Sequence, residues 1–166
     1  MKFICDDNLG RLAKYLRILG FDTHFALTID DERLLRVASS QERFLLTRDH
    51  NLLARTHPFG ILILEEDDPL VQLRTVIETL SLRIDPSRLF ERCSRCNAPC
   101  QTVEKNRISS EVFPFILKTQ EVISQCPVCK RFYWKGSHYK ALVRKLKQAI
   151  PGCSLSGEWP DIKPSS

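Results

Sequence analysis

The sequence predicts an α/β fold: a parallel sheet sandwiched by helices, followed by a small cysteine-bearing unit and a terminal basic helix. Three observations predict it. Through the first 82 residues, short apolar runs alternate with stretches whose apolar residues recur at helical spacing. The loops between them are short, and parallel strands joined in sequence require crossover helices, which cover both faces of the sheet. Beyond residue 92 the periodicity fades and two Cys-x-x-Cys pairs take over.

Residues 2–5, KFIC, are short and apolar enough for a buried strand. The next stretch places Leu9, Leu12, Ala13, Leu16 and Leu19 on one helical face before Gly20. FDTHFA (21–26) reads as a second strand, and DDERLLRVASSQ (30–41) as a helix with acids in its first turn. RFLLT (43–47) supplies a third strand, DHNLLAR (49–55) a short helix, and GILIL (60–64) a fourth strand. An acidic loop then leads to a helix that starts at Pro69 and carries Leu70, Leu73, Val76, Ile77 and Leu80. Residues 1–82 therefore form the α/β domain and 83–92 a connector. Residues 93–150 hold the cysteine unit and a basic amphipathic helix over 138–150, and the Pro-, Ser- and Gly-rich residues 151–166 are expected to form a flexible tail.

A chain of 166 residues with 43% hydrophobic content supports a full core. Its net charge of +5 is unevenly spread: 13 Lys and Arg face 15 Asp and Glu in residues 1–92, against 12 and 5 thereafter. The basic second part either meets a polyanion or is a solvated face. No apolar run approaches the roughly 20 residues of a membrane span, and charges interrupt any signal-peptide core in residues 1–20. The expectation is a cytoplasmic protein without a membrane partner. In a reducing compartment, paired cysteines favour metal binding over disulfides.

Ligand sites of open parallel sheets lie beyond the carboxyl ends of the strands. Acids recur there: Asp6 and Asp7 after strand one, Asp30 and Asp31 after strand two, Asp49 after strand three, Asp67 and Asp68 after strand four. Carboxylates about 4 Å apart repel unless cations intervene, and Mg²⁺ or Mn²⁺ suits such oxygen ligands. The set suits phosphodiester hydrolysis by metal ions. Helix capping is the competing role for Asp30, Asp31, Asp49, Asp67 and Asp68, whereas a single turn needs only one of Asp6 and Asp7. Asn8 and Arg48 flank the same edge, and Arg11, Lys14 and Arg17 recur every three residues on the first helix, facing either an RNA backbone or solvent.

CSRC (93–96) and CPVC (126–129) are separated by 29 residues. Two such knuckles offer four thiolates, Cys93, Cys96, Cys126 and Cys129, for a structural, tetrahedral Zn²⁺. Cys100 is a candidate competitor, Cys5 a core residue and Cys153 a tail thiol. After the second knuckle, KRFYWKGSHYK interleaves Arg131, Lys135 and His138 with aromatic residues including Trp134. These aromatics either stack nucleobases or plug the join between the two units.

With these residues assembled, the chain resembles the PIN-like ribonuclease family named after the carboxy-terminal region of the Mut-seven exonucleases. The resemblance runs over about residues 2–147 and rests on FICDDNLGRLAKYLRILGFDT, DDERLL, FLLTRD and the knuckles with SRCN and CPVCKRFYWKGSHY, in that order. It implies a PIN-like sheet with a zinc ribbon, and a metal-dependent ribonuclease. It points to Asp6, Asp31 and Asp49 first as Mg²⁺ or Mn²⁺ ligands, then to Asp7, Asp30 and Asp68, and to the four knuckle cysteines as zinc ligands. Position 7 departs from the family, being Asp where Glu is common, and Cys100 is unusual. RNA is the expected partner. The rival expectations are a non-catalytic RNA-binding module, a toxin-type protein of the same fold, and a protein-interaction scaffold.

Overall fold

The computed structural model describes residues 1–152, 155 and 157–160. Four parallel strands form the main sheet: β1 (Lys2–Cys5), β2 (Asp22–Phe25), β3 (Phe44–Thr47) and β4 (Ile61–Ile63), in the order β2-β1-β3-β4. Lys2 pairs with Asp22 on one side of β1 and Phe3 with Phe44 on the other, which makes β1 an inner strand. Three helices provide the crossovers and the flank: α1 (Gly10–Ile18), α2 (Asp31–Ser40) and α3 (Pro69–Thr79). Residues 49–55, expected as a short helix, tighten instead into a 3-10 turn over His50–Ala54, the geometry a single short turn adopts.

Alternation along the strands divides the core between two faces. Phe3 and Cys5 point to the layer of α1 and α3, where they meet Leu12, Leu16, Leu73 and Val76. Ile4 and Leu45 point to the other layer and pack on Leu34 and Ala38 of α2. Each such fully buried leucine or isoleucine contributes about 2 kcal/mol through the apolar area it removes from water.

The cysteine unit is a three-stranded antiparallel ribbon of β5 (Gln101–Thr102), β6 (Ser124–Gln125) and β7 (Phe132–Tyr133). Between β5 and β6 lie a 3-10 turn and the short helix α4 (Pro114–Thr119). This insertion explains the long spacing between the knuckles, and it packs a satellite core of Ile108, Val112 and Ile123 under Phe132 and Trp134.

The final helix, α5 (Ser137–Ala149), differs from its expected grouping with the ribbon. Its Tyr139, Val143 and Leu146 are buried in the main core, because the apolar stripe of α5 has α3 to cover and the ribbon offers no comparable face. Part of the expected flexible tail is docked too: Leu155 bridges to Ile84, and Leu155 and Trp159 pack against the main core. The remaining tail expectation, with the thiol of Cys153, falls on residues 153, 154, 156 and 161–166, outside the described residues. Among the described residues no helix is long and apolar enough to cross a membrane.

Candidate functional site

Because β2 lies on one side of β1 while β3 and β4 lie on the other, the sheet switches direction between β1 and β3. Open α/β sheets gather ligands in the crevice outside such a switch point. A cavity of about 80 Å³ lies there, lined by Asp6, Asp7, Asn8, Asp31, Thr47 and Asp49 together with Ala26, Ile29 and Leu34. That is room for more than one water-sized occupant. Four of the six expected acids therefore share one cavity.

Asp6 is the buried member, only 8% exposed. Its Oδ1 accepts from the Asn8 N–H at 3.1 Å; its Oδ2 accepts from the Thr47 hydroxyl and, at 3.0 Å, from the Arg48 N–H. The Thr47 hydroxyl in turn accepts from the Asp49 N–H at 2.9 Å. One carboxylate thus ties the end of β1 to the end of β3 and fixes the cavity floor. Asp7 and Asp31 are exposed on the rim, and the Asn8 amide donates to Asp7 at 3.1 Å.

Capping accounts for the rest. Asp30 caps α2 through the Arg33 N–H, Asp49 caps the following turn through Asn51 N–H, and Asp68 caps α3 through the Leu70 and Val71 N–H groups. Asp30 and Asp68 are not among the residues lining the cavity. Asp68 leaves β4, one strand removed from the switch point, and the Asp30 side chain is turned onto its own helix. The expected crowding of carboxylates is also looser than foreseen. Among the described residues, no three of them bring their oxygens within 4.8 Å of one another, because backbone N–H groups hold several in place. Arg48 is committed as well, to Asp67 at 2.6 Å.

The four knuckle cysteines do converge: Cys93, Cys96, Cys126 and Cys129 bring their sulfurs within 4.8 Å of one another. Cys93 Sγ and Cys129 Sγ stand 3.7 Å apart, close to the roughly 3.8 Å edge of a tetrahedron with 2.3 Å zinc–sulfur bonds. The knuckles are built alike. Asn97 and Lys130, each directly after the second cysteine, take left-handed φ of 65° and 60° and donate their N–H back to Cys93 O and Cys126 O. Burial works against ionising Cys93, yet the Tyr133 hydroxyl and the Cys96 and Arg95 N–H groups bring its thiol down to about 6. Burial and the neighbouring sulfurs push Cys96 up to about 12. This donor set fits a structural Zn²⁺, and Cys100 stays outside it.

Sequence reasoning missed the joint between the two units. Arg17, expected to face RNA or solvent with Arg11 and Lys14, is 7% exposed and turns inward. It donates to Thr23 O at 2.8 Å, to Arg95 O at 2.9 Å and to Ser94 O at 3.3 Å. Asn97 completes the joint, accepting from Thr23 N–H at 3.0 Å and donating to Asp22 at 2.8 Å. Asp22 also pairs with Arg43 at 2.6 Å and Arg92 at 3.5 Å. Partial burial opposes its ionisation, but the Arg43 and Asn97 hydrogen bonds hold its carboxyl below the usual carboxylate range. A signal was available: Arg17 lies four residues after Ala13, on the buried side of α1.

The expected nucleic-acid contacts fall in four places. Lys14, Arg131, Trp134 and His138 line a groove of about 680 Å³ between α1, the ribbon and α5. Lys135 lines a neighbouring cavity of about 510 Å³ beside Asp85 and Glu158. Arg11 is exposed on α1, and Asn8 belongs to the acid cavity.

Compared with known proteins, a family model described as Mut7-C RNAse domain matches residues 1–146. No curated protein and no solved structure matches the chain.

Proposed function

The chain belongs to the Mut7-C RNAse domain family, and from that premise we propose that it is a metal-dependent endoribonuclease whose acid cavity binds Mg²⁺ or Mn²⁺. The observation that supports this reading is the meeting of Asp6, Asp7, Asp31 and Asp49 with Asn8 and Thr47 in one cavity at the switch point. Every polar side chain there ends in a hard oxygen donor or an amide, and Mg²⁺ bound by a few carboxylates keeps several waters, which suits carboxylates that do not crowd. A divalent ion held there supplies Lewis acidity, neutralising phosphate charge and easing the deprotonation of water.

The chain's own residues do the positioning. Asp6, pinned by three donors, supplies a fixed negative charge at the cavity floor. Asp31 and Asp7 on the rim and Asp49 on the β3 side surround the place where a phosphodiester enters. The Asn8 amide can donate to a phosphate oxygen. Hydrolysis then adds water across the P–O bond, leaving one phosphate end and one hydroxyl end. The four cysteines hold Zn²⁺ as a structural ion, and the basic second part holds the RNA.

The test is cleavage of labelled single-stranded and hairpin RNAs with Mn²⁺ or Mg²⁺, beside titration of Mn²⁺ followed by its paramagnetic resonance. Outer ligand partners alone contribute 10- to 100-fold, so Asp31→Asn and Asp6→Asn are expected to lose about 100-fold or more in rate and to weaken Mn²⁺ binding. Equal cleavage by the variants would trace the activity to a contaminant. A second reading has its own support, since Asp6 and Asp49 already serve as helix caps: a module that binds RNA without cutting it. RNA retained intact under every divalent ion would favour that one.

A further inference from the structure

We propose that the groove between α1, the ribbon and α5 binds unpaired bases of single-stranded RNA by aromatic stacking, and that α1 leads the strand from there to the acid cavity. The choice of RNA rests on the ribonuclease reading; the stacking site itself rests on the groove.

Three features select this occupant. The groove's charged lining is cationic: Lys14 and Arg131 line it with His138, and among the described residues no carboxylate does. In a chain with 20 Asp and Glu, an acid-free groove marks a site for a polyanion. Its walls carry Phe90 and Trp134, and Phe115 stands 71% exposed at its edge. Flat rings beside cations are how single strands are gripped irrespective of sequence, since every base has a π-face. A volume of about 680 Å³ lies within the range that accommodates ligands the size of nucleotides.

Position along α1 supplies the link. Asn8, in the 3-10 turn that leads into α1, lines the acid cavity, and Lys14 on α1 lines the groove, six residues on, an axial rise of about 9–12 Å. Arg11 is exposed between them. A strand whose bases stack in the groove therefore runs its phosphates past Lys14 and Arg11 toward the acids. A protein partner seeking an apolar groove gains nothing from an acid-free cationic rim, which makes RNA the better match.

The experiment measures binding of a fluorescein-labelled oligouridylate and of the same strand with abasic positions, by anisotropy, using the full zinc-loaded chain without added divalent ion. Phe115→Ala removes an exposed ring at little structural risk and is expected to weaken oligouridylate binding roughly 5- to 150-fold, with little effect on the abasic strand. Lys14→Ala is expected to weaken both strands and to lower the slope of log Kd against log salt by about 0.7. Equal affinity for the abasic strand would overturn the proposal, reducing the groove to a charged rail. Binding indifferent to Phe115 and Lys14 would overturn it as well, as would Phe115-dependent self-association that RNA does not displace, which would give the groove to a second copy of the chain. Failure of the nuclease reading looks different: Phe115-dependent binding persists while no RNA is ever cut.

Discussion

Asp6 is a structural tie in the fold and, in the proposed function, a metal ligand as well. It accepts three hydrogen bonds, one of them from Thr47, whose hydroxyl is completely buried and also receives the Asp49 N–H. Thr47→Val keeps the shape but leaves the Asp49 N–H unpaired and removes one of the two hydrogen bonds to Asp6 Oδ2. A loss of about 2 kcal/mol is expected in denaturant unfolding, with weaker Mn²⁺ binding in the same variant. Asp22 provides a pH test. Its folded carboxyl ionises below the usual range, so its stabilisation is complete above the unfolded value of about 3.9 and is lost as pH falls through the folded value. Asp22→Asn is thus expected to cost about 2 kcal/mol near pH 7, and the gap to the parent should close in unfolding curves taken progressively below about pH 4. Arg17 carries the largest residue-scale expectation: truncating it to Ala strands three carbonyls at the joint and should cost about 3 kcal/mol, with Lys a poor substitute because it lacks the forked donor geometry. These roles were unequally legible. A pair of adjacent acids after an apolar run announces a site, whereas nothing in the sequence tells Asn97 that Thr23, far away along the chain, will use its amide.

At the scale of elements, helices α1, α2, α3 and α5 could be read from periodicity because each turns an apolar stripe to the core, and strands β1 to β4 from short apolar runs between turn residues. Strands β5 to β7 are two residues each, too short to show any alternation. Helix α4 was hidden for another reason: its six residues include Phe115, which faces solvent, so no apolar stripe forms. Capping acids were the chief confusion, since Asp30 and Asp68 satisfy helix ends with the same carboxylate chemistry that a metal would use. Helix endings supply a sharper test. The chain leaves α1 through Gly20 at φ +90°, where Phe21 N–H bonds to Leu16 O and Gly20 N–H to Arg17 O. A Cβ there would lie 3.0 Å from the Arg88 carbonyl oxygen. Gly20→Ala combines a disfavoured conformation with that contact, and about 2 kcal/mol, or about 4–8 °C in melting temperature by calorimetry, is the expected loss.

For the whole molecule, the first cysteine knuckle is tied to the main sheet, because Arg17 and Asn97 hydrogen-bond it to β2, and the Zn²⁺ proposed for the four cysteines makes that tie testable. Removing zinc with a chelator is therefore expected to loosen more than the ribbon. Amide exchange should accelerate through residues 101–133 and also in β2, while the α2 layer keeps its protection. Unchanged exchange in β2 would show that the joint does not transmit the loss. Cys126→Ser should give the same pattern together with zinc content below one ion per chain. The fold class and the order of elements through α3 were visible in the sequence; the assignment of α5 was not, since an amphipathic helix announces that it docks and leaves open on which partner.

That helix also sets a schedule for synthesis. The layer over α1 and α3 is completed by Tyr139, Val143 and Leu146, which leave the ribosome after the entire ribbon has been made. A nascent chain stopped before residue 137 shows the apolar side of α3 to chaperones, and only translation through α5 shuts that face.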